Sequence, residues 1–92
     1  MDRYKARENF IRRQIADDIF LVPTGQQIFR NNGLIVLNET ADLLWSEIQS
    51  PKTVEELCAA VAENYETDTE SVETDVREFI GCMMSLDALE TV

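Results

Sequence analysis

Leu37-Asn38-Glu39-Thr40-Ala41-Asp42-Leu43-Leu44-Trp45 joins the end of an apolar strand to the start of an amphipathic helix. Asn38 suits an N-cap, because its side-chain oxygen accepts one of the first-turn N–H groups that a helix leaves unpaired. Glu39 and Asp42 put negative charge near the positive end of the helix dipole. Ala41, Leu44, Trp45 and Ile48 then recur at i, i+3, i+4 and i+7, which is one face of a helix. The junction sets the local structure. It leaves function open, since any capped core helix shares it.

Upstream, Leu34-Ile35-Val36-Leu37 reads as a continuous apolar strand, preceded by the turn signal Asn31-Asn32-Gly33. A strand apolar on both faces needs cover on both. In so small a domain, another molecule is one source of that cover. Phe10–Ile15 and Ile19–Val22 read as two further strands, with Ala16-Asp17-Asp18 between them as a tight turn and Pro23 as the stop. Gln26–Arg30 reads equally as loop or strand continuation.

Downstream, the first helix runs from about Glu39 to Gln49 and is broken by Ser50-Pro51-Lys52. Thr53-Val54-Glu55-Glu56 is a capping box that opens a second helix, extending to about Asn64. Tyr65–Asp68 is a polar connector. Asp68 or Thr69 caps a third helix that continues to about Ser85. Its apolar residues are Val72, Val76, Phe79, Ile80, Met83 and Met84, a stripe wider than packing on one neighbour requires. Either the third helix is central, touching both other helices and the sheet, or one edge of the stripe serves a ligand. Three strands followed by three helices predict an α+β fold, with an N-terminal three-stranded antiparallel sheet. Residues 1–92 form one domain, and residues 1–8 are expected to be flexible.

Composition removes several function classes. The 92 residues are 45% hydrophobic and carry a net charge of −10. Residues 1–13 hold five Lys/Arg and two acids, whereas the rest holds three Lys/Arg and sixteen acids. Such a body repels nucleic acid and anionic membrane. The second and third helices have a helix-turn-helix layout, but the third bears Glu70, Glu73, Asp75 and Glu78 against Arg77 alone, the wrong charge for phosphate. The sequence has no long apolar run and no signal segment, which predicts a cytoplasmic protein that does not span a membrane. Cys58 and Cys82 read as reduced thiols packed as small apolar residues. The chain has no histidine and no glycine-rich phosphate loop, and two separated cysteines do not make a zinc site. Asp17-Asp18 fits a hairpin turn and Glu55-Glu56 a helix first turn. The chain is therefore expected to have no catalytic residues, no metal and no cofactor.

At Leu37–Trp45 the chain resembles the PqqD family, whose pattern is roughly Leu-Asn-x-Thr-Ala-x-x-x-Trp; Leu37, Asn38, Thr40, Ala41 and Trp45 match it. The similarity continues through Thr53–Leu57, Tyr65, Val72, Asp75-Val76 and Phe79-Ile80. The resemblance implies a winged-helix-like domain without DNA binding. It implies a peptide chaperone that holds the leader of a ribosomally made precursor peptide and presents the peptide to a modifying enzyme, often a radical SAM protein. The leader would add as a strand to the third strand and lie against the third helix. Two departures stand out. Asp87-Ala88-Leu89 replaces the glycine that often closes the third helix, and Thr24–Gly33 is longer than in compact members.

The residues taken as peptide-binding are Leu34, Ile35 and Val36 on the strand, by backbone pairing, and Val72, Val76, Phe79 and Met83 on the helix. The same exposed edge would also serve a homodimer. The competing reading is a protein-interaction module of a regulatory or structural complex, with no part in peptide maturation.

Overall fold

A computed structural model describes residues 2–24 and 35–92. Among them the chain forms β1 (Tyr4–Ala6), β2 (Phe10–Ile15), β3 (Asp18–Pro23), β4 (Ile35–Leu37), α1 (Glu39–Glu47), α2 (Val54–Asn64), α3 (Thr69–Ser85) and β5 (Leu89–Thr91). Strands β2, β3 and β4 make a three-stranded antiparallel sheet in that order, and three helices follow, as the sequence pattern predicts. The segment from Gln26 to Leu34, with its ambiguous stretch and its Asn-Asn-Gly turn, lies outside the described residues.

Each helix starts at the cap its sequence provides. Asn38 is extended (φ −80°, ψ 177°), and its Oδ1 accepts the Ala41 N–H at 2.8 Å. Thr53 Oγ1 accepts the Glu56 N–H at 3.1 Å while Glu56 Oε1 accepts the Thr53 N–H at 3.0 Å, which completes the capping box. Of the two candidates for the α3 cap, Asp68 takes the place, its Oδ1 accepting the Ser71 N–H at 2.8 Å. These bonds favour the ionised carboxylates. The Thr53 N–H holds Glu56 below its ordinary pKa, and the bonds from Ser71 do the same to Asp68.

The helix ends are less conventional. Helix α1 stops at Glu47, slightly short of the expected Gln49. Glu66 after α2 and Asp87 after α3 have φ of 52° and 59°, the left-handed conformation that glycine usually supplies at that position. Beyond α3, the Asp87 N–H reaches Met84 O at 3.1 Å and the Ala88 N–H reaches Met83 O at 2.9 Å. This is a complete Schellman closure. The glycine missing from the sequence is thus replaced by an aspartate held in glycine's conformation.

In the main sheet, Ile15 pairs with Asp18, so Ala16-Asp17 is a two-residue turn, and Ala16 has φ 56°. The second sheet is a departure from the sequence reading. Residues 1–8 are expected to be flexible, yet β1 pairs antiparallel with β5 from Tyr4↔Thr91 to Ala6↔Leu89. The other side of β1 is also held, the Tyr4 N–H donating to Lys52 O and the Ala6 N–H to Ile48 O, each at 2.7 Å. The core gathers Leu21 from the sheet, Leu44 and Ile48 from α1 and its end, Leu57 and Val61 from α2, Val76 from α3, and Leu89 from β5, all fully buried. Each such side chain contributes about 1.5–3 kcal/mol relative to exposure.

Candidate functional site

Among the described residues, strand β4 is the edge of its sheet. On one side β3 pairs with it, Leu21↔Ile35, Phe20↔Val36 and Ile19↔Leu37; among the described residues no strand pairs with the other side. Such an edge offers backbone N–H and C=O groups to an incoming strand. Side chains alternate along β4. Leu37 is buried and Ile35 half-buried against the core, whereas Val36 is 65% exposed on the far face, in register with Phe20. Among the described residues, β4 is therefore covered on one face only.

Between β4 and α3 runs a groove of about 320 Å³. Ile35, Val36 and Leu37 form one wall. The other is a single face of α3, with Asp75, Glu78, Phe79, Cys82 and Met83 at i, i+3, i+4, i+7 and i+8. The start of α1 completes the groove through Asn38, Thr40 and Ala41, with the fully buried Leu44 as floor. Its orientation is braced by Arg12 of β2. That guanidinium pairs with Asp42 through Nε and, at 3.0 Å, through Nη2, and the hydrogen bond raises its pKa further.

Of the residues singled out in the sequence, Ile35, Val36, Phe79 and Met83 meet around this groove. Val72 and Val76 do not line it; they are buried in the core at 6% and 0% exposure. Leu34 lies outside the described residues. The width of the helical stripe follows from the central place of α3: Val72, Val76, Phe79, Ile80 and Met83 are all buried, and Phe79 and Met83 also show an edge to the groove. Met84, by contrast, is 45% exposed and lies away from it.

The sequence reading misses Asp75, Glu78 and Cys82 on α3 and the α1 contribution from Asn38 to Leu44. The available signal was helical spacing. Residues four before, one before and three after Phe79 flank it on the same face. Cys82 is exposed rather than packed as a small apolar residue, while Cys58 is buried and its thiol is pushed up chiefly by desolvation; both are free. Asp75 and Glu78 are the charged residues among the described ones lining the groove, both exposed, and neither has an ion pair with a described residue. A second groove, of about 570 Å³, is lined by the N-terminal halves of α2 and α3 together with Asp2 and Tyr4. Among the described residues no group of His, Cys, Asp or Glu is arranged to hold a metal, and no helix is long and apolar enough to cross a membrane.

The family model for coenzyme PQQ synthesis protein D (PqqD) matches residues 21–89. The fold is similar to the solved structure of TbiB1 in complex with the TbiA(beta) leader peptide, with a TM-score of 0.72, 23% identity and 94% of each chain covered. No curated protein matches the chain. The family match spans most of the sequence, and the chain belongs to the PqqD family.

Proposed function

We propose that this PqqD-family chain captures the leader of a ribosomally made precursor peptide by strand addition to β4. It then presents the rest of that peptide to a modifying enzyme, a radical SAM maturase, in the cytoplasm. The observation that carries the reading is the β4 edge, which no other described strand pairs on its far side, facing the Phe79–Met83 wall of α3 across a groove of about 320 Å³. An added strand sits roughly 4.8 Å from its neighbour and sends alternate side chains to one face. Here that face is α3. Main-chain bonds to β4 supply affinity, and side-chain pockets supply selectivity.

In this reading Leu34, Ile35 and Val36 make the docking edge. Phe79 and Met83 are the apolar wall, and Val72 and Val76 hold that wall in place from the core. Family membership supports the reading, as does the leader peptide bound to TbiB1 on a similar fold. The described residues of the groove include no histidine and no paired nucleophile and base, which fits a carrier that leaves the chemistry to its enzyme. Two free thiols fit a reducing compartment.

An NMR titration tests it, using a synthetic leader from a short open reading frame beside the gene. Amides of residues 35–37 and 75–83 should shift, and alkylation of Cys82 should slow. Unmoved amides, together with tight association with another folded protein, would transfer the assignment to a protein-interaction module without a maturation role.

A further inference from the structure

The groove is graded across its α3 wall. Phe79 and Met83, buried at 7% and 2% exposure, are apolar, while Asp75 and Glu78 beside them are exposed carboxylates. Among the described residues no Lys or Arg lines the groove, and neither carboxylate has an ion pair with a described residue. Lysine and arginine match that gradient, because they lay an apolar stem along hydrophobic surface and keep a charged head at its edge. Resting on the strand-addition reading above, we infer that Asp75 and Glu78 select the bound peptide. They require a Lys or Arg at an inward-facing position, flanked by apolar residues two positions away on the same face.

The spacing allows it. Residues three apart on a helix rise roughly 4.5 Å, while successive inward side chains of a strand stand roughly 6.7 Å apart. One basic side chain therefore lies within reach of both carboxylates. An acidic residue at the same place meets two like charges and a body of net charge −10. A docked strand also displaces water from the groove, which strengthens a charge-assisted bond over a surface ion pair.

The test uses a random twelve-residue display library as the probe, selected against the full chain. The peptide taken forward is the one that shifts the amides of Ile35–Leu37 and shields Cys82. Its basic residue is replaced by glutamine. Affinity is then measured against the wild type and against the double variant Asp75→Asn/Glu78→Gln, whose exposed positions leave folding intact. The expected result is a loss of about tenfold on the wild type and almost none on the variant, as two members of one interaction require. The wild-type affinity should also fall with added salt. Groove-binding peptides without a basic residue, or equal losses on both proteins, overturn the charge selection and leave strand addition standing. A selection in which no peptide disturbs Ile35–Leu37 overturns both.

Discussion

Asn9 donates a hydrogen bond from Nδ2 to the carbonyl oxygen of Asp87 at 2.8 Å, joining the β1–β2 link to the turn that follows α3. Arg7 reinforces the junction with an ion pair to the Asp87 carboxylate at 3.3 Å and a backbone bond to Ala88 O at 2.9 Å. The N-terminal strand is thereby gripped between β5 and the α1–α2 loop. Asn9→Ala should lower stability by about 1 kcal/mol, the typical net worth of such a bond, measured by urea unfolding.

Removal of residues 2–7 should be far more damaging. It strips the partner from β5, uncovers Leu89 and Ala88, and takes away the buried Ala6. The expected loss is several kcal/mol, seen as a large fall in the unfolding midpoint. Hydrogen exchange should show the amides of β5 losing protection. Unchanged stability would mean that the small sheet contributes nothing.

Glu66 and Asp87 occupy glycine's conformation with side chains attached. Left-handed backbone costs a non-glycine residue roughly 1–2 kcal/mol, part of which glycine returns through the greater freedom of its unfolded chain. Glu66→Gly should raise stability by about 0.5–1 kcal/mol, and the melting temperature by about 2–8 °C. Asp87→Gly should gain less, because it also gives up the pairing with Arg7. Calorimetry on the two variants separates these contributions.

In the groove, burial decides which substitutions are informative. Phe79→Asp and Met83→Asp place a charge where exposure is 7% and 2%, so both should unfold the domain at a cost of several kcal/mol rather than cleanly remove binding. Cys82→Trp should leave the circular dichroism of the domain intact and weaken peptide binding more than tenfold, because it fills the groove from an exposed position. A Cys82→Trp protein that binds a leader peptide normally would place that peptide elsewhere.

Two helix starts give the fold an acid limit. Asp68 and Glu56 have folded-state pKa values below their ordinary ones, through bonds from Ser71 and Thr53 respectively. A depressed carboxylate adds stability above its unfolded pKa and loses it as pH falls through the folded value. Stability should therefore decline below the ordinary carboxylate range. Asp68→Asn keeps a good cap without the titration. Unfolding curves for that variant should be flatter in acid than those of the wild type.

What the sequence made legible was local. Asn38, Thr53 and Asp68 each advertise a cap, and the apolar spacing after each defines a helix face, so the helix starts and the order of elements follow directly. The Phe10–Val22 hairpin is legible for the same reason. The β1–β5 pairing was not, because three-residue strands have no measurable periodicity and their bonds join opposite ends of the chain. The closure at Asp87 was equally hidden, since aspartate does not signal a left-handed residue as glycine does. At the groove, periodicity put Phe79 and Met83 on the inward stripe of the third helix. It did not distinguish them from Val72 and Val76, because a stripe shows which residues turn inward and not which part of the interior is open.

The Val92 N–H donates to Arg3 O at 2.8 Å, so the polypeptide leaves its two described ends at neighbouring points, and no residue of β1 or β5 lines the groove. The fold is therefore a closed loop with a single seam. A host sequence can enter and exit at that seam, or the ends can be ligated and the ring reopened in a surface turn, without touching the face that would receive a peptide.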